Sequence, residues 1–69
     1  MDKDITIRLT EQKTEILKLL AAGEEDKNIG DTLGISTATV RNACMSLLDI
    51  FHAKNRPNLI YKACKSQII

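Results

Sequence analysis

The sequence predicts an all-α domain, a compact unit of four helices near residues 10–22, 26–33, 36–51 and 56–66. Three observations carry that expectation. Apolar residues recur at helical spacing in each segment, with no alternating strand pattern, internal repeat or low-complexity stretch. Aromatic residues are almost absent, only Phe51 and Tyr61 with no Trp, so the core must be aliphatic, which suits short packed helices better than a sheet. Gly23, Gly34 and Pro57 punctuate the chain where helices should end or begin.

Sixty-nine residues make one domain at most. A chain of this size buries only about 60% of its unfolded surface, which leaves little room for an enclosed catalytic cleft and counts against an enzyme. Residues 1–8 read as a flexible lead-in and residues 9–69 as the domain.

Leu9-Thr10-Glu11 starts the first helix: Thr10 can cap, Glu11 suits the positive end of the helix dipole, and Leu9 can staple onto the first turn. Ile16, Leu17, Leu20 and Ala21 fall on its inner face, and Gly23 ends it. The acidic run Glu24-Glu25-Asp26 opens the second helix, with Asp26 as cap and Ile29 and Leu33 as a narrow apolar edge. Gly30 lies on that edge at a cost of about 1 kcal/mol relative to Ala, so another backbone is expected to approach it closely. Gly34 ends this helix. Ser36 caps the third, whose stripe is Val40, Cys44, Leu47, Leu48 and Phe51, with Thr37, Ala38, Arg41, Asn42, Met45 and Asp49 opposite. Asn55 or Arg56 caps the last helix, with Pro57 in its first turn and Leu59, Ile60, Ala63 and Cys64 inside.

The second helix, its short turn and the third helix form a helix-turn-helix. A tiny residue at 30 permits close crossing, Gly34 supplies the positive φ of the turn, and Ile35 and Val40 lock the third helix onto the second. A helix projecting in this way fits the major groove of duplex DNA, its N-terminal residues reaching the base edges. Ser36 leaves backbone amides to point at a phosphate, and Thr37 and Thr39 offer hydroxyls. Arg41 can take the guanine edge bidentately, and Asn42 an adenine edge or a phosphate. Met45 has three readings: contact with a thymine methyl, contact with a partner, or mere exposure. Lys54, Asn55 and Arg56 are placed to grip the DNA backbone.

The formal net charge is only +1, but it is unevenly distributed. Residues 1–34 hold five cations against eight anions, whereas residues 35–69 hold five against Asp49 alone, so one part of the domain presents a positive surface. Cys44 and Cys64 form no paired motif and read as reduced core thiols of a cytoplasmic protein. His52 has no second ligand at metal spacing, and neither a cofactor motif nor a small-molecule site is evident. The longest apolar run, residues 16–22, is short and broken by Lys18, so no membrane span is expected.

These residues resemble one family, the LuxR-type (GerE-like) helix-turn-helix domains of bacterial transcription regulators. The likeness runs from about Arg8 to the C-terminus. It rests on Leu-Thr-Glu at 9–11, Ile16-Leu17-x-Leu19-Leu20-Ala21-x-Gly23, Lys27-x-Ile29, Leu33-x-Ile35-Ser36, Thr39-Val40-Arg41 and Asn55-Arg56. The resemblance implies a recognition third helix and a fourth helix that mediates homodimerisation on inverted-repeat DNA. It also implies a setting at the end of a response regulator or signal-binding regulator; the abrupt start before the motif suggests a segment of a longer chain, with a small free-standing protein as the alternative. By this match Thr39, Arg41, Asn42 and Met45 take DNA-reading roles, and Leu59, Ile60 and Ala63 the dimer face. The chain departs from the common family pattern at Ala43 (usually His), at Asp49 and Ile50 (usually basic), at Glu25 (usually Ser or Thr) and at Gly30 (usually Ala). Those departures, with the near-neutral charge, support a second reading: an adaptor module on the same fold with weak or lost DNA affinity. The promoter-reading domain of sigma factors is a lesser alternative.

Overall fold

Helix starts follow the caps that the sequence supplies. In the computed structural model, which describes residues 9–69, the elements are α1 (Glu11–Ala21), α2 (Asp26–Leu33), α3 (Thr37–Phe51) and α4 (Arg56–Lys65). The lead-in expected at 1–8 lies outside the described residues. Thr10 accepts the Lys13 amide at 3.1 Å, Ser36 the Thr39 amide at 3.0 Å, and Asn55 the Asn58 amide at 2.9 Å. Asn58 returns the favour by accepting the Lys54 amide at 3.0 Å, so Asn55 rather than Arg56 is the cap of α4. The start of α2 differs from expectation. Glu25 holds the cap position without a side-chain bond, and Asp26 is the first helical residue.

All four helices end alike. A residue in the left-handed region is followed by an amide that bonds to the carbonyl five positions back: Glu24 to Leu19, Ile35 to Gly30, Ala53 to Leu48 and Ile68 to Ala63, at 2.8–3.0 Å. This closes off carbonyls that the helix itself cannot satisfy. The left-handed residues are Gly23 and Gly34 in the first half but His52 and Gln67 in the second, where a side chain must tolerate roughly 1 kcal/mol of strain.

The core lies around α3, which packs against each of the other helices. Ile16, Leu17 and Leu20 of α1, Ile29 of α2, six residues of α3 and Leu59 and Ala63 of α4 make up the buried hydrophobic core, with Gly30 buried beside Ile29. Leu9, Leu33, Ile35, Ile60 and the terminal Ile68 and Ile69 pack around its margin. Three assignments from periodicity need correction. Ala21 and Cys64 are exposed, because each lies one step too far round the helical spiral from the buried stripe. On α3 the stripe is wider than expected: Ala43 and Ile50 are buried and Leu48 only half-buried. The isoleucine at 50, where the family commonly has a basic residue, is therefore a core residue rather than a missing surface charge. Among the described residues, no helix is long and apolar enough to cross a membrane.

Candidate nucleic-acid interface

The turn between α2 and α3 sets the geometry of the exposed face. Gly34 has φ 71° and its amide bonds to the Gly30 carbonyl, which also accepts the Ile35 amide at 2.9 Å. A Cβ at residue 30 would stand 2.7 Å from the Ile35 carbonyl oxygen. The close approach expected at Gly30 is thus made by the turn itself, folded back over the end of α2. With Ile35 half-buried and Val40 fully buried, α3 leaves the turn with one side sealed into the core.

The opposite side of α3 is open. Ala38, Thr39, Arg41, Asn42, Met45 and Asp49 are exposed and Thr37 is half-buried. Met45 is 68% exposed, which makes it, with Tyr61, a large apolar side chain left in water. Ser36 and Thr39 share a hydroxyl contact of 2.8 Å, so the two hydroxyls at the head of the helix are held together. The amides of Thr37 and Ala38 precede the first intrahelical bond and so lack a helical partner. Arg41, Asn42 and Met45 share one surface because residues three and four apart are neighbours on a helix.

Arg41 and Arg56 meet at one carboxylate. Arg56 grips Asp26 with both terminal nitrogens, at 2.7 and 2.9 Å, across thirty positions of sequence. This bidentate pair joins the first turns of α2 and α4, two helices whose backbones do not pack on each other. Arg41 reaches the same carboxylate through Nε, 3.6 Å from Oδ2. The Arg56 hydrogen bonds, reinforced by the charges of both arginines, hold the Asp26 carboxyl below the usual carboxylate range. Its partner Arg56 is held in the charged form by the same bonds. The carboxylate expected to cap α2 instead accepts two charge-assisted bonds, stronger than a single bond to a backbone amide.

The other predicted residues divide. Lys54 is exposed at the entry to α4, next to the cap Asn55. The Asn55 Oδ1 is engaged as that cap, and the Arg56 guanidinium is bonded to Asp26 while its side chain stays 41% exposed. The dimer face also needs correction. Leu59 and Ala63 are fully buried in the monomer core, because α4 has a single apolar stripe and a domain this small needs it for its own core. Ile60 is half-buried, and Tyr61, 60% exposed beside Lys65, lies outside. Lys62 donates to the His52 carbonyl at 2.9 Å and so closes the end of α3. Burial pushes the Cys44 thiol up, away from the thiolate a nucleophile requires. Among the described residues no group of three His, Cys, Asp or Glu could hold a metal ion.

The sequence marks Asp26 as a helix cap but does not show its ion pairs with Arg41 and Arg56. Those partners lie fifteen and thirty positions away, beyond the reach of capping and periodicity rules.

Comparison with known proteins agrees with this architecture. The model of the family described as "Bacterial regulatory proteins, luxR family" matches residues 8–63. The putative HTH-type transcriptional regulator YhjB of Escherichia coli (strain K12) is 48% identical over 48 residues, covering 70% of this chain and 24% of that protein. The transcriptional regulatory protein DesR of Bacillus subtilis (strain 168) is 36% identical over 55 residues, covering 80% of this chain and 28% of that protein. The chain thus spans about a quarter of the length of these relatives. With the family model covering most of its length, the chain belongs to the luxR family of bacterial regulatory proteins.

Proposed function

We propose that this domain binds double-stranded DNA sequence-specifically as part of a bacterial transcription regulator, with α3 lying in the major groove. The observation that carries this is the two-sided character of α3. One side is wholly buried, and the other sets Arg41, Asn42 and Met45 together on an exposed surface at the end of a tight turn. In this reading Arg41 and Asn42 read base edges, Met45 meets a thymine methyl, and the head of the helix at Ser36, Thr37 and Thr39 faces a phosphate. Lys54 supplies sequence-blind backbone contact. Arg56 belongs to the fold, and Asn55 serves as a cap. Homodimerisation on inverted-repeat sites would use the outer side of α4, with Ile60 and Tyr61 in place of the buried Leu59 and Ala63. Two relatives named as transcriptional regulators support the assignment.

A second reading, an adaptor that docks a protein on the same face, draws on the low net charge and on the Asp26 carboxylate beside Arg41. Anisotropy of a labelled random-sequence duplex, titrated at several salt concentrations, separates the two. DNA binding predicts an affinity that falls about tenfold for every two phosphates neutralised, between roughly 50 and 200 mM salt. No binding even at the lowest salt would leave the adaptor reading standing alone.

A further inference from the structure

We propose that Asp26 is a positioning residue for DNA reading: its carboxylate, fixed by Arg56, restrains Arg41 through Nε and leaves the terminal edge of that guanidinium facing outward. The inference rests on the DNA-binding reading above and assigns a role to a residue that makes no DNA contact itself.

The geometry supports it in three steps. Asp26 is only 14% exposed, and both of its oxygens are already bonded to Arg56, so the carboxylate has a fixed position. Arg41 approaches that fixed oxygen with Nε, at 3.6 Å, while its side chain stays 68% exposed. A guanidinium offers five donors in a planar fork. With Nε paired to that oxygen, it keeps its two terminal nitrogens for a second, bidentate partner, the arrangement that guanine O6 and N7 require. An exposed arginine with no such restraint must surrender rotamer freedom on binding, at about 0.5–1.5 kcal/mol. Asp26 removes part of that cost beforehand. It also places a negative charge beside the reading face, which disfavours sequence-blind phosphate contact. Both effects favour discrimination over bulk affinity.

The test uses the 69-residue chain and compares two variants. A duplex enriched by the wild type from a randomised pool is measured against random duplex, and the ratio of affinities is the readout. D26N removes the negative charge that both arginines pair with, whereas R56M removes the clamp and leaves the carboxylate for Arg41. The expected result is a discrimination ratio about two- to tenfold lower in D26N, without weaker binding to random duplex, and a smaller loss in R56M, where the carboxylate stays beside Arg41 but is no longer fixed. An equal loss in both variants assigns Asp26 a purely structural role and overturns the proposal, as does an unchanged ratio in D26N. Failure of the wild type to bind any duplex defeats the DNA-binding reading and the positioning role with it. Unaltered discrimination in D26N defeats the positioning role alone. A second measurement needs no variant and covers a D26N chain that fails to fold. In the DNA-free wild type the Nε–H order parameter of Arg41 should exceed about 0.6, the level below which a group counts as flexible. A lower value overturns the proposal.

Discussion

The two sides of α3 share fifteen residues and divide the work of the domain between them. The inner side, from Val40 through Leu47 to Phe51, has lost almost all contact with water and holds the other three helices. The outer side, from Ala38 through Arg41 to Met45, is exposed. Substitutions on the inner side should therefore be read in stability and those on the outer side in binding. The difference teaches that exposure, rather than residue type, separates structure from function here. Arg41 and Arg56 are chemically identical, yet Arg41 stays 68% exposed with one contact to Asp26 at 3.6 Å, while Arg56 is clamped to it by two hydrogen bonds.

Three substitutions grade this contrast from strong to weak on a stability scale. Leu47→Ala, at a position with no exposure, should cost about 2–5 kcal/mol. In a domain this small that removes most of the cooperative transition in a urea titration followed by circular dichroism. A loss under about 1 kcal/mol would mean that the inner side is loosely packed. Gly30→Ala tests the turn, and two effects oppose each other. Helix propensity favours Ala by about 1 kcal/mol, but its Cβ would meet the Ile35 carbonyl at 2.7 Å, and backbone cannot swing aside as a flexible side chain can. Net destabilisation of about 1–2 kcal/mol is expected, and a rise in melting temperature would show that the turn gives way. Arg41→Ala should change stability by less than about 0.5 kcal/mol, as exposed positions do. Its effect belongs to DNA, where base discrimination should fall by about 1–3 kcal/mol. Lys54→Ala should weaken binding to every duplex about equally. Equal, sequence-blind losses in both would assign Arg41 to phosphate.

Much of this was legible in the sequence, and the parts that were not share a cause. Helix number, the caps at Thr10 and Ser36, the turn at Gly34 and the close approach at Gly30 depend on local chemistry, and each was readable within a few residues. The buried stripes were readable too, but only to within one step of the spiral, which is why Ala21 and Cys64 were placed inside and Ile50 was passed over. The non-glycine caps His52 and Gln67 carry no strong local signal, since most residues at those positions would not adopt positive φ. For the candidate site, the open face of α3 follows from periodicity, whereas the roles of Arg56, Leu59 and Ala63 depend on what the rest of the chain brings against them. Dividing the charge by sequence halves misled for the same reason. Folding carries Asp26 from the acidic half into the basic one, between the two arginines.

The most direct test of α3 as the DNA-contacting element is a backbone amide map. With 15N-labelled protein and a short duplex at low salt, the resonances that move should cluster at Thr37–Met45 and around Lys54, while those of α1 stay in place. Shifts centred on the outer side of α4 around Tyr61, with those of α3 unmoved, would contradict it.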